Sequence, residues 1–149
     1  MPSWSEFAAA APEFAARVGG LFTTYRHHTM ATLRRDGSPR ISGTELEFED
    51  GELRLGMMAG TRRADDLRRD PRIAIHSHSV EPPEVDGEIW AGEAKLSGRA
   101  IALAGDGDEV DRFRIDIAEV VLTGWGTPAD HLLIERWRAG DGLTRFERR

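Results

Sequence analysis

Cysteine is absent from the 149 residues. That excludes disulfides, a thiolate metal site and a cysteine nucleophile. Lysine is nearly absent as well: of 20 basic residues, only Lys95 is not arginine. Basic residues are outnumbered by 26 acidic ones, for a net charge of −6. Such a chain lacks the broad basic surface that nucleic acid or an anionic membrane selects, although a local basic pocket is compatible with it. No apolar run approaches the ~18–20 residues of a membrane span. The short apolar run from Phe7 to Ala11 has no basic flank and is bounded by Glu6 and Pro12, unlike a signal peptide. The expectation is a cytoplasmic protein with no nucleic-acid and no membrane partner. Nucleophile-elbow, Walker A, dinucleotide-binding and zinc-protease patterns are also missing.

What is present suits one domain over residues 1–149, opened by a helical segment over 1–20. Hydrophobic residues make up 40% of the chain, enough for a packed core. Ser3 with Glu6 three residues on is a capping box. Trp4, Phe7, Ala8 and Ala11 follow at helical spacing. Pro12 opens a second helix whose Phe14, Ala15 and Val18 share a face, and Gly19-Gly20 is read as its stop. Two helices are predicted, over 4–10 and 12–18.

From Thr29 the period changes to two. A strand over 29–35, an Asp36-Gly37 turn and a strand over 39–48 read as a hairpin. In the second strand Ser42, Thr44, Leu46 and Phe48 face one way, and Ile41, Gly43, Glu45 and Glu47 the other. Asp50-Gly51 turns the chain into a third strand over 52–58, with Leu53, Leu55 and Met57 on one face. A helix over 62–69 ends at Asp70-Pro71, and a strand over 72–79 follows. A long strand is read over 88–104, with Trp90, Ala94, Leu96, Ala100 and Ala102 inward and Gly92 and Gly98 as bends or bulges. Phe113, Ile115 and Ile117 alternate with Arg112, Arg114 and Asp116 as one more strand, with a helix over 108–119 as the alternative; 124–130 is a loop, and 131–138 with 143–148 a last hairpin. Many antiparallel strands with a few short helices give a mainly β (α+β) barrel with short peripheral helices.

Chemistry is most legible at Thr61-Arg62-Arg63. Thr61 is a good N-cap, and the first turn then carries two arginines. Cations there oppose the helix dipole, which favours Asp or Glu by ~0.3–1 kcal/mol each. Free backbone amides, a hydroxyl and two guanidinium groups on one turn can hold a phosphate. The plainer alternative is a solvated turn paired with Asp65, Asp66 and Asp70. Arg40, Ser42 and Thr44 share a strand face and could donate to a phosphate or a polar ring, or form an ordinary polar stripe. Met57 alternates with the core face, and Met58 could line a pocket. His27-His28 and the pair His76/His78 have no third ligand at metal-site spacing, so no metal is expected.

Three segments in order carry a resemblance. Ala31 to Arg40, Thr61-Arg62-Arg63-Ala64-Asp65-Asp66-Leu67-Arg68-Arg69-Asp70-Pro71-Arg72-Ile73-Ala74, and Ser97-Gly98-Arg99-Ala100 resemble the pyridoxamine 5′-phosphate oxidase-like split β-barrel proteins. The resemblance runs from about Thr29 to Ala102. It implies an antiparallel split β-barrel of six to seven strands, a homodimer with the cofactor site at the subunit interface, and FMN as cofactor, with F420 or heme as alternatives. It places Thr61, Arg62 and Arg63 on the phosphate-holding segment, and implies oxidoreductase activity on a small-molecule substrate, or else a non-enzymatic flavin or heme carrier. The vitamin B6 oxidases themselves carry an Arg-x4-Lys pair where this chain has Arg40 and Glu45, and a C-terminal His that is missing from Leu143 to Arg149. The resemblance therefore does not extend to that activity.

Overall fold

Local chemistry sets the first elements. The computed structural model describes residues 1–84, 89–105 and 107–149. Helix α1 (Trp4–Ala10) carries the complete capping box of Ser3 and Glu6. Helix α2 (Pro12–Thr24) runs six residues past the expected stop. Its buried face, Phe14, Ala15, Val18 and Phe22, continues at helical spacing across the glycine pair. Gly19 packs beneath Trp4, so burial overrides a weak breaker. The rings of Trp4 and Phe7 then meet Phe48 and Trp137, at 4.9 and 4.7 Å between centroids.

The remaining elements are β1 (His27–Leu33), β2 (Pro39–Glu49), β3 (Glu52–Met58), α3 (Arg62–Arg69), β4 (Arg72–His76), β5 (Glu93–Ala102), β6 (Val110–Trp125), β7 (Leu132–Arg138) and β8 (Gly142–Arg148). Strands pair antiparallel in the order β3-β2-β1-β4-β5-β6, and β3 pairs again with β6. That closes a six-stranded barrel. Strands β7 and β8 extend outward from β6, so eight strands are present with six in the barrel. The β2–β3 turn uses positive φ at both Asp50 (54°) and Gly51 (74°), as a tight hairpin requires.

Several expected boundaries move. Strand β4 ends at His76, and Ser77 donates its N–H to the Ala94 carbonyl instead of continuing the face. Strand β5 begins only after Gly92, where φ is +86°. Trp90 therefore precedes the strand: it packs on Trp125 and donates its indole N–H to the Val80 carbonyl at 3.0 Å. Ala102 is exposed at the strand's end. The expected start of that strand at 88, and part of the loop before it, lie outside the described residues.

The largest difference is β6, sixteen residues long where the alternation covers only 112–117. Its core residues are Phe113, Ile115 and Ile117, then Val120 and Leu122. The parity changes at Ala118, because the register with β5 steps from Gly98↔Ile117 to Ser97↔Glu119. This bulge breaks the two-residue alternation and hid the second half of the strand. It also requires glycine at 98: a Cβ there would sit 1.8 Å from the Asp116 carbonyl oxygen. Gly98→Ala should lower stability in urea denaturation by about 1–3 kcal/mol, as overpacking does. Gly43→Ala, with nothing within 4 Å of the added carbon, should cost much less. Equal losses for the two would contradict this account of the bulge.

Candidate functional site

Helix α3 is placed by its buried side. Ala64 and Leu67 enter the hydrophobic core, and Asp66 is buried beside them, 2% exposed. Thr32 and Arg40 face each other across β1 and β2 and both point at Asp66. The Thr32 hydroxyl and Arg40 Nε donate to one carboxylate oxygen at 2.7 Å each, and Arg69 donates to the other at 3.0 Å. Arg69 also donates to the Leu33 carbonyl at 2.8 Å. Burial pushes the Asp66 carboxyl up, but the donors from Arg40, Thr32 and Arg69 outweigh it and hold the pKa at about 2.

This network fixes the N-terminus of α3. The Thr61 hydroxyl caps it, accepting from the Ala64 N–H at 3.3 Å. The amides of Arg62 and Arg63 have no intrahelical carbonyl to bond. The two first-turn arginines then diverge. Arg62 joins Arg34, Arg35, Arg40 and Arg69 around an open cavity of about 510 Å³ that also meets Asp36, Asp65 and Asp66. Arg63 does not line it. Its Nε is shielded from solvent and has no hydrogen-bond partner among the described residues. A cationic donor left in that state suits an anion supplied from outside the chain.

The other expected site residues spread out. Ser42 is half-buried and Thr44 buried on the barrel-facing side of β2. Met57 is in the core, while Met58 is 74% exposed and pairs with Val110, also exposed, near Thr61. Glu45 lies on the opposite face from Arg40 and meets Arg26 at 3.2 Å. The structure thus brings together Arg40 and Arg62 at the cavity, and Thr61 with Arg62 and Arg63 on one turn. Asp66, which organises them, was missed as a site residue. Its signal was Arg40 itself, an arginine at an inward position of β2, which calls for a buried carboxylate.

The histidines take separate roles. His28 is buried, its Nε2–H shared between the Phe22 and Tyr25 carbonyls at 3.0 and 2.7 Å and its Nδ1 accepting the His78 N–H at 3.0 Å. Burial lowers its pKa, and the neutral form is the one this geometry needs. The His78 ring stacks on Tyr25 at 4.2 Å, and His76 lies 3.6 Å from Glu93. The rings of His76 and His78 are therefore not side by side as a strand pair would be.

No protein-family model matches the chain, and no curated protein matches it. Solved structures do. PhzG from Burkholderia lata 383, solved with tetrahydrophenazine-1-carboxylic acid, superposes with a TM-score of 0.65 at 10% identity, over 98% of this chain and 93% of that one. A pyridoxamine 5′-phosphate oxidase-related, FMN-binding protein from Nostoc punctiforme PCC 73102 gives 0.67 at 9% identity, over 93% and 96%. The fold is a pyridoxamine 5′-phosphate oxidase-like barrel. A heme-binding protein from Mycobacterium smegmatis has the same kind of barrel, with a TM-score of 0.57 at 15% identity over 89% and 86%. In the present oxidase-like barrel no helix among the described residues is long and apolar enough to cross a membrane.

The Asp66 network has a pH signature. Its carboxyl is more acidic folded than unfolded, so the unfolded state takes up the proton first as pH falls. The stabilisation is whole above about pH 3.8 and is lost as pH falls towards about 2. Asp66→Asn should cost about 3–5 kcal/mol at neutral pH, since it leaves the half-buried Arg40 without its counter-charge. It should also flatten the decline of stability below about pH 4. Parallel pH profiles for wild type and variant would contradict the assignment.

Proposed function

We propose that the protein is a flavin-dependent oxidoreductase that uses FMN, with F420 as the second candidate, and acts as a homodimer on a small-molecule substrate. The observation that carries this reading is the first turn of α3. There Arg63, whose Nε is shielded and has no partner among the described residues, stands beside a threonine cap, two amides with no intrahelical acceptor and Arg62. These residues fit the phosphate end of such a cofactor: Thr61 and Arg63 would hold it, with Arg62 adding charge. Arg40 is committed to Asp66 at 2.7 Å, so its part is to steady the site and not to grip the phosphate. When bound, a flavin supplies the hydride chemistry itself. The chain's own part is to bind, orient and shield it. The FMN-binding relative from Nostoc punctiforme supports the same cofactor class.

The homodimer reading is supported by the exposed apolar pair Met58 and Val110 near Thr61, which a second subunit would cover. Light scattering should then give twice 16.6 kDa. A non-enzymatic heme carrier is the second reading, favoured by the heme-binding neighbour. The visible spectrum separates the two, since flavin bands and a Soret band do not overlap in shape.

Arg63→Ala tests the phosphate grip. A hydrogen bond to a charged group is worth ~1.5–3 kcal/mol, so the variant should bind FMN or F420 roughly 10- to 150-fold more weakly. Added salt should weaken the wild type more than the variant, because the lost interaction is electrostatic. Equal affinities in a titration of both proteins would reject the assignment.

A further inference from the structure

The corner between the two N-terminal helices faces the hairpin outside the barrel. Helices α1 and α2 meet at Ala11, whose backbone is not helical (φ −142°, ψ 67°). Four consecutive alanines, Ala8 to Ala11, run up to that break, so the corner carries little side-chain bulk. Strands β7 and β8 pass beside it. Between the corner and the hairpin lies a cavity of about 550 Å³, walled by Ala10, Ala11, Phe14, Leu133 and Leu143. That size falls within the ~300–1,000 Å³ of small-molecule sites, which are mostly apolar with a few placed polar groups.

The polar groups here are unequally shared. Glu135 has a side chain only 4% exposed, and Arg17 grips it as a fork, Nη1 to Oε1 at 2.8 Å and Nη2 to Oε2 at 2.7 Å. Arg17 also lies over the Phe14 ring, 5.7 Å from its centre, so both its charge and that ring face are taken. Arg145 reaches the same carboxylate through Nε alone, at 2.8 Å. Its two terminal nitrogens have no partner among the described residues, and its side chain is 60% exposed. One carboxylate thus serves two guanidinium groups. The free edge of Arg145 presents two N–H groups, which match the two oxygens of a second carboxylate. Glu13 is the remaining acid at the cavity. Together with Glu135 it would repel a doubly charged group such as a phosphate, so the charges select a monoanion.

We propose that this cavity binds a small monocarboxylic acid with an aliphatic body. The carboxylate takes the terminal nitrogens of Arg145, and the chain lies against Ala10, Ala11, Leu133 and Leu143. The cavity shares no residue with the arginine cavity at α3, and the inference does not rest on the flavin reading.

The test is calorimetric titration of the full chain with octanoate and with 1-octanol, its uncharged counterpart. Wild type should bind octanoate saturably and octanol about tenfold more weakly. Arg145→Gln should weaken octanoate about tenfold and leave octanol unchanged; Arg17 still holds Glu135 in this variant. Arg148→Gln removes the same charge from the other face of β8 and should change neither. Ala10→Trp, at an exposed position, should fill the cavity and abolish both. Absence of saturable octanoate binding to wild type would overturn the proposal, as would equal affinities for acid and alcohol. Unchanged octanoate affinity in Arg145→Gln, or an equal loss in Arg148→Gln, would also overturn it. That pair decides the matter even if Ala10→Trp fails to fold.

Discussion

A single buried carboxylate organises this molecule's most basic region. Asp66 is removed from water, and its charge is tolerable only because Thr32, Arg40 and Arg69 all donate to it. Those donors belong to β1, β2 and α3. The network therefore locks a short helix to two barrel strands, and Arg69 adds a bond to the Leu33 carbonyl. A helix of eight residues has little stability of its own in water. Tertiary contacts hold it, and they also decide where its first turn stands. The separation of Arg62, at the open cavity, from Arg63, shielded and unpartnered, follows from that placement.

The barrel depends on a second constraint, the close approach of β5 and β6 at Gly98. The bulge opposite that glycine shifts the core residues of β6 from odd to even positions. The strand can then pair with β3 at one end and β7 at the other while β5 runs along most of it. Closure of the barrel and attachment of the outer hairpin thus pass through one strand. A second buried carboxylate, Glu135, ties that hairpin to α2 through Arg17 at 2.7 and 2.8 Å and is met by Arg145 at 2.8 Å.

Much of this was legible in the residues. The first hairpin, the faces of β2, the bounds of β3 and α3, and the Thr61 cap follow from alternation, turn chemistry and capping, all of which are local. What escaped was non-local. The full length of β6 was masked by a parity change that only its partner strand explains. The end of α2 was misread because Gly19-Gly20 looks like a stop until Trp4 is known to pack there. In sequence Asp66 reads as one of three aspartates, with Asp65 and Asp70, that pair with a solvated turn. Its burial becomes readable only when Arg40, on the same inward face as Ser42 and Thr44, is asked where its counter-charge lies.

The central claim is that the first turn of α3 holds the phosphate of a flavin cofactor. The most direct measurement is a crystal structure of the protein grown with FMN. The account predicts phosphate oxygens within hydrogen-bond distance of the Thr61 hydroxyl and the Arg63 guanidinium, with the Arg40–Asp66 pair intact. A phosphate seated elsewhere on the chain, with Arg63 still unpartnered, would contradict it.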